Sequence, residues 1–259
     1  MEKWKIGVVA ALILGLVGYG VSQQKTSEPP VVADANATIA PGTTPAPEAN
    51  KAAVFIGQEL GGDKIPLWTK FGPWENAKQP ISLDSLKGQP ALLEFFRINC
   101  SHCQEAAPFL EALYQRYQPR GLKMAAVQSP GDYKDATNDE TQWPKVQDFV
   151  KAGGLTFPVG MDENSQYFQQ TLNGSYYPTT MLTDKNGKVV YAQTGHDAKK
   201  AMALAVELEK QLPGAGTPKE RAADLAKFLR PFLFGNGKVD GALLQSLTDD
   251  LEQRLMGKV

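Results

Sequence analysis

The sequence predicts an α/β domain of three layers, in which one sheet lies between two layers of helices. The first observation is an apolar run at residues 91–96, followed by a helical pattern at residues 105–117. The second is a further strand–helix pair, at residues 122–127 and from Pro144 onward. The third is a hairpin followed by a last helix. This order of strands and helices is typical of an α/β fold.

The first strong strand marks the centre of the predicted sheet. Residues 91–96 are apolar except for Glu94, and a parallel strand covered on both faces is apolar almost throughout. Before it, residues 81–88 predict a strand edge followed by a short turn of helix. Shorter strands are expected further upstream, around Phe55, Ile65, Leu67 and Trp68.

The segment after the second strand begins with a helix. Pro144 is predicted to open that helix, because proline fits the first turn, and Gly153-Gly154 is predicted to stop it. A short extended segment is expected at residues 156–161, followed by a helical segment around Tyr167 and Phe168.

A hairpin and a capped helix close the predicted domain. The turn sequence Asp-Lys-Asn-Gly at residues 184–187 is a strong hairpin signal between strands at residues 179–183 and 188–193. Asp197 then caps a helix whose apolar side chains recur at helical spacing.

The last residues, 214–259, predict a helical extension beyond this domain. Thr217 is a helix N-cap, followed by a proline at the first position and Glu220 at the third. Residues 235–237 break the chain before a second amphipathic helix. We expect an α-hairpin that packs on the main domain or mediates association.

Composition narrows the classes of function. The chain has 259 residues, a net charge of −1 and two cysteines. The charge gives no indication of a nucleic-acid partner. Two cysteines cannot form a multi-disulfide scaffold, so they indicate chemistry rather than structural cross-linking.

Cys100 and Cys103 form a Cys-x-x-Cys motif where the predicted strand gives way to a helix. Backbone N–H groups and the helix dipole at a helix N-terminus favour a thiolate. The motif therefore predicts a thiol–disulfide oxidoreductase whose redox group is the cysteine pair, without another cofactor. A zinc site is disfavoured, since only His102 and His196 could complete its four ligands.

The N-terminus predicts a location outside the cytoplasm. Lys3 and Lys5 precede an uncharged stretch at residues 6–21, so residues 1–22 are typical of a signal peptide or a membrane anchor. Residues 23–51 contain five prolines and no aromatic residue, which predicts an extended linker. Because a linker is useful to a protein that stays attached, we favour an uncleaved anchor on the outer face of the cytoplasmic membrane, with a cleaved, periplasmic form as the alternative.

Several segments together resemble the thioredoxin superfamily, specifically its extracytoplasmic TlpA/ResA-like thiol–disulfide oxidoreductases. The resemblance covers about residues 52–212, within a predicted domain of residues 52–213. It implies a thioredoxin-like three-layer α/β/α sandwich. Asn99 departs from the family, which usually has an aromatic residue there, and Ser101-His102 is neither Gly-Pro nor Pro-Pro. The matching parts are residues 82–90, the cysteine motif, Pro108, residues 154–159 and residues 177–184.

The resemblance also implies a role for each site residue. Cys100 would be the exposed nucleophile and Cys103 the resolving thiol. Glu94, a carboxyl group in a buried strand, would relay a proton to or from the resolving thiol; the alternative is a solvated edge position. Tyr177-Pro178 matches a cis-proline site that faces the cysteines, where the preceding backbone groups can pair with an extended substrate.

His102 lies inside the motif, close to the predicted helix start. A protonated imidazole there would stabilise the reduced form, as in the disulfide oxidase DsbA, which has His at the same place. We expect a reduction potential between about −270 mV, the value of thioredoxin, and about −120 mV, that of DsbA. The alternative is an exposed imidazole without influence on the sulfurs.

The expected partners are client proteins that carry thiols or disulfides, such as apocytochrome c, and an upstream electron donor such as a membrane thiol-reductant transporter. We favour a reductase. The alternatives are a DsbA-like oxidase and a non-catalytic binding module or chaperone with the same fold. A peroxidase of the peroxiredoxin type is disfavoured, because Arg97 stands where that chemistry needs Thr or Ser.

Overall fold

The computed structural model describes residues 51–60, 74–129, 139–162, 166–235 and 237–258. Several expectations lie outside these residues. They are the anchor or signal segment (residues 1–22), the linker apart from Lys51, and the strands around Ile65, Leu67 and Trp68. Within the described ranges, no helix combines the length and apolar character needed to cross a bilayer.

The described residues contain one mixed sheet of five strands. The strands are β1 (Ala91–Phe96), β2 (Lys123–Gln128), β3 (Val159–Met161), β4 (Thr179–Thr183) and β5 (Val189–Thr194). Their order in the sheet is β3-β2-β1-β4-β5, and β1 pairs with β2 in parallel and with β4 in antiparallel orientation. β1 lies in the middle of this order and all six of its residues are buried, which confirms it as the central strand.

Helices cover both faces of the sheet. The α-helices are α1 (Leu83–Leu86), α2 (Ser101–Tyr117), α3 (Asp139–Ala152), α4 (Ala198–Gln211), α5 (Pro218–Phe234) and α6 (Gly241–Leu255). The larger apolar cluster joins one face of the sheet to α2, α3, α4 and the C-terminal helices α5 and α6. The smaller apolar cluster joins the other face to α1, to a 3-10 turn at Ala53–Phe55 and to a π-helical turn at Gln166–Thr171.

The predicted start of α3 and the predicted strand at Phe55 are both wrong. Pro144 does not open α3, which begins five residues earlier at Asp139 and carries the proline in its interior. An interior proline costs roughly 3 kcal/mol. The helix nevertheless continues, and Val146 and Val150 are buried on its inner face. Phe55 lies in a 3-10 turn rather than a strand, with its ring buried in the smaller cluster.

The C-terminal hairpin packs on the main domain, one of the two roles expected for it. Thr217 and Glu220 form the predicted capping box at the start of α5. Leu225 and Leu229 of α5 and Leu251 of α6 are fully buried in the larger apolar cluster. The extension is therefore part of the same hydrophobic core as the sheet.

A buried carboxylate ties α4 to this extension. Glu209 is 1% exposed and accepts hydrogen bonds from the Tyr117 hydroxyl at 2.9 Å and from Nη1 of Arg120 at 2.9 Å. Its other oxygen accepts from the backbone N–H of Gly214 at 2.7 Å, in the connection that leads to α5. The charge is thus compensated, as a buried carboxylate requires.

Candidate active site

The cysteine motif lies where β1 turns into α2. Cys100 is the N-cap of α2, and its carbonyl accepts from the backbone N–H groups of Cys103 at 3.1 Å and of Gln104 at 3.0 Å. The N–H of Cys100 donates to the carbonyl of Arg97 at 3.1 Å and closes the turn before the helix. The first sulfur therefore belongs to the residue at the helix N-terminus, as the sequence predicts.

Two glutamines hold this turn in place from opposite sides. The backbone N–H of Ile98 donates to Oε1 of Gln128, a buried residue of β2, at 2.8 Å. The carbonyl of Ile98 accepts from Nε2 of Gln104 at 2.7 Å. Because both backbone groups of Ile98 are engaged, the segment that leads to Cys100 is fixed against both β2 and α2.

The two sulfurs differ in burial. Both cysteines are free thiols in this structure; Cys100 is half-buried, whereas Cys103 is only 3% exposed. Burial raises the pKa of Cys103, and a hydrogen bond donated to the Cys100 sulfur raises this pKa further. The N–H of Arg97 opposes these effects in part. Cys103 therefore holds its proton until a base removes it, while Cys100 is the more accessible sulfur.

The Tyr177–Pro178 peptide bond is cis and lies against the motif. The Tyr177 carbonyl accepts a hydrogen bond from Sγ of Cys100 at 3.8 Å. The Tyr177 ring packs between the guanidinium of Arg97, at 4.2 Å, and the ring of Phe168, at 5.0 Å. Tyr177 thus meets the Cys100 sulfur through its backbone, while its ring is held by two neighbouring side chains.

Glu94 is buried in the central strand, at 2% exposure, rather than solvated at an edge. Its partner across the antiparallel β1–β4 ladder is Thr180, whose hydroxyl donates to Oε2 of Glu94 at 2.6 Å. Burial raises the pKa of Glu94 from its ordinary value of 4.5 to about 8, against a smaller lowering by the Thr180 hydrogen bond. Glu94 and Cys103 line one small cavity of about 10 Å³.

The remaining predicted site residues lie along α2. Ser101 is the exposed first residue of the helix, and Pro108 lies in its interior. The His102 side chain is 62% exposed, and its Nδ1 lies 3.4 Å from Oε2 of Glu105. Such exposed pairs contribute little to stability.

The structure adds four residues that the sequence did not place in the site. Gln128 and Gln104 fix the turn, Arg97 stacks on Tyr177, and Thr180 binds Glu94. The sequence carried no signal for Thr180, because three of the five residues of β4 are threonines. Its pairing with Glu94 follows only from the register of β1 and β4.

In the part of the chain that the structure describes, no group of three or more His, Cys, Asp and Glu side chains could hold a metal ion. The arrangement around the cysteines instead offers what thiol–disulfide exchange needs, namely an accessible sulfur, a buried second thiol and a carboxyl group of raised pKa.

The sequence matches a protein-family model described as Redoxin over residues 61–207. It is 32% identical to the thiol-disulfide oxidoreductase ResA of Bacillus subtilis (strain 168) over 145 residues, which cover 55% of this chain and 73% of ResA. ResA of Bacillus thuringiensis (strain Al Hakam) is 32% identical over 126 residues, covering 47% of this chain. The chain spans 64% of the length of that relative.

A solved structure shows a similar fold. The solution structure of a candidate protein disulfide isomerase from Bacteroides thetaiotaomicron superposes with a TM-score of 0.50 and 20% sequence identity. The match covers 64% of this chain and 94% of that chain. At this level of identity the likeness concerns the fold alone.

Proposed function

The chain belongs to the Redoxin family, as a ResA-like member of the thioredoxin superfamily, and we propose that it is an extracytoplasmic thiol–disulfide oxidoreductase that reduces disulfides in client proteins. The observation that carries the proposal is the placement of the cysteine pair. Cys100 is half-buried at the N-terminus of α2, and Cys103 is buried behind it with its thiol donating to the first sulfur.

The proposed reaction has two exchange steps. The Cys100 thiolate attacks one sulfur of a client disulfide, forms a mixed disulfide and releases the other client sulfur as a thiolate, which takes a proton. Cys103 then loses its proton, attacks Sγ of Cys100 and releases the second client thiol. The client gains two electrons and two protons, and the Cys100–Cys103 pair is left as a disulfide.

Glu94 is the proposed base for the second step. Cys103 needs help to ionise because burial raises the pKa of its thiol. The Glu94 carboxyl lines the same cavity, and its pKa of about 8 allows it to accept or return a proton near neutral pH. In the reverse direction, the protonated carboxyl would return the proton to the Cys103 thiolate as the mixed disulfide re-forms.

Substrate contact is proposed at the Tyr177–Pro178 segment. Its cis bond and the carbonyl beside Cys100 lie at the reactive sulfur, where an extended client segment would arrive. Asn99 stands where the family usually has an aromatic residue, and Ser101 is exposed close to it, so the surface around the motif differs from that of the family. Pro108 lies further along α2, behind the motif.

The setting of the reaction is also a proposal. Residues 6–21 would anchor the chain at the outer face of the cytoplasmic membrane, and residues 23–51 would link the anchor to the thioredoxin-like domain. The oxidised Cys100–Cys103 pair would be reduced again by a membrane dithiol donor, and apocytochrome c cysteines are the proposed clients.

A DsbA-like oxidase is the second candidate, and His102 is the observation that favours it. The residue follows Ser101 in the first turn of α2, two residues after Cys100, where a protonated ring would favour the thiolate and hence the reduced form of the pair. The reduction potential of the Cys100–Cys103 pair therefore distinguishes the two candidates: a high potential favours the oxidase and a low potential favours the reductase.

Turnover of insulin disulfides with dithiothreitol as the reductant tests the proposal. The wild-type chain should reduce insulin faster than the reductant alone, and both the Cys100→Ser and the Cys103→Ser variants should fall to the background rate. Equal rates for the wild-type chain and the Cys100→Ser variant would contradict the proposal and favour a non-catalytic binding module. Equilibration of the pair with glutathione then separates the two candidates, since an oxidase requires a potential near that of DsbA.

A further inference from the structure

We propose that Thr180 is a positioning residue for Glu94, which holds one carboxyl oxygen and sets the pH at which Glu94 exchanges a proton with Cys103. The inference rests on the proton transfer proposed above and deepens it. It assigns a task to Thr180 through its hydrogen bond to Glu94.

The geometry of the sheet brings the two side chains together. Glu94 and Thr180 are directly paired in the antiparallel β1–β4 ladder, so their side chains lie on the same face. Thr180 is 3% exposed, and its hydroxyl lies 2.6 Å from Oε2 of Glu94. That distance is typical of a strong hydrogen bond from a hydroxyl to a carboxylate.

The hydrogen bond from Thr180 has a large influence on the protonation of Glu94, because the other described side chains that line the cavity beside Glu94 are apolar except for Cys103. Apart from Glu94, the only titratable side chain among the described residues that line the cavity is Cys103, contributed by α2. The other parts of the cavity wall come from β1, α2, β2, α3 and the segment before β3. They are apolar side chains: Phe96, Ala107, Leu110, Ala126, Phe149, Leu155 and Phe157.

The hydrogen bond has two consequences for the carboxyl group. A hydroxyl that donates to the carboxylate stabilises the charged form, so it opposes the effect of burial. The bond also engages Oε2, which leaves Oε1 as the oxygen to exchange a proton with Cys103. Thr180 thereby determines both the orientation of Glu94 and the pH range in which it can act as a base.

The Thr180→Val variant removes the hydroxyl and keeps the branched shape. The midpoint of the Glu94 titration should move upward by about one pH unit, which corresponds to a tenfold change in the ionisation equilibrium. Near neutral pH, where Glu94 is mostly protonated, the rate at which Cys103 resolves a mixed disulfide should fall by up to tenfold. Thr180→Ser keeps a donor and should retain the wild-type midpoint and rate.

Thr183→Val is the matched control. Thr183 lies on the same strand, is 4% exposed and donates to the carbonyl of Ala91 at 3.4 Å. It is three residues from Thr180, so its side chain points to the opposite face of the sheet from Glu94. The same chemical change at this position should leave the Glu94 midpoint where it is in the wild type.

The experiment measures two quantities in the reduced full chain and its variants. The side-chain carboxyl of Glu94 is titrated by carbon-13 NMR, and the resolution of a Cys100–glutathione mixed disulfide is followed across the same pH range. Upward movement of both midpoints in Thr180→Val, with neither moving in Thr180→Ser or Thr183→Val, is the expected result. An unchanged NMR midpoint in Thr180→Val, or an equal change in Thr183→Val, would overturn the assignment of Thr180. An NMR midpoint that moves while the rate profile does not would overturn the proton transfer proposed for Glu94 itself.

Discussion

Replacing Glu94 with glutamine should change how the stability of the protein depends on pH. Burial raises the pKa of Glu94 to about 8 in the folded chain, against 4.5 as its ordinary value. Between these two pH values the folded state binds more protons at this site than the unfolded state does. The free energy of unfolding therefore falls as the pH rises through this window, and the stability that the protonated carboxyl allows is fully present only below about pH 4.5.

The size of the effect follows from the two pKa values. Each pH unit between them is worth about 1.4 kcal/mol, so Glu94 lowers the free energy of unfolding by about 5 kcal/mol across the whole window and by about 3 kcal/mol at pH 7. Glu94→Gln cannot ionise and should lack this slope. Its amide still offers an oxygen to the Thr180 hydroxyl, and any cost of burying the amide nitrogen is a constant that does not vary with pH.

Urea unfolding of the reduced proteins between about pH 5 and pH 8 measures the slope directly. The difference in free energy of unfolding between Glu94→Gln and the wild type should shift in favour of the variant by several kcal/mol across this range. Two curves that stay parallel would refute the claim that burial keeps Glu94 protonated near neutral pH.

Three further changes test other parts of the structure. Glu209→Ala should lower the free energy of unfolding by about 3–5 kcal/mol, because it leaves Arg120 and the other partners of this buried carboxylate uncompensated. Glu207→Ala removes only a surface ion pair with Lys210, so it should lower the free energy of unfolding by at most about 1 kcal/mol in the same urea assay. Arg97→Met should lose about 0.5–2 kcal/mol of stability with the contact to Tyr177, and Arg97→Lys should lose less; equal losses in the two variants would show that the cation contributes nothing there. His102→Ala should make the cysteine pair more reducing in a glutathione titration, and an unchanged potential would identify the imidazole as an exposed bystander.

Local patterns in the sequence were sufficient for the elements that carry the site. The apolar run at β1 predicts a strand buried on both faces, because every residue in it except Glu94 is apolar. The cysteine motif at the seam of strand and helix predicts Cys100 at a helix N-terminus, which the structure confirms. Asp197 and Thr217 supply side-chain caps in both predicted places.

Features that depend on tertiary contacts were beyond such patterns. Pro144 carries a local signal for a helix start, yet α3 begins five residues earlier, at Asp139, and continues through the proline. The partnership of Glu94 with Thr180 joins residues 86 positions apart, so it follows from the register of the sheet and not from spacing. The contact of Arg97 with Tyr177 has the same origin, because a turn and a distant loop meet only in the folded chain.

The division of labour between the two sulfurs is tested most directly by trapping each one separately. Reduced Cys103→Ser and Cys100→Ser chains are incubated with glutathione disulfide near neutral pH, and the modified cysteine is located and timed by mass spectrometry. Glutathione should accumulate rapidly on Cys100 in the first variant and slowly, if at all, on the buried Cys103 in the second. Modification of Cys103 at a rate equal to or above that of Cys100 would contradict the proposed mechanism.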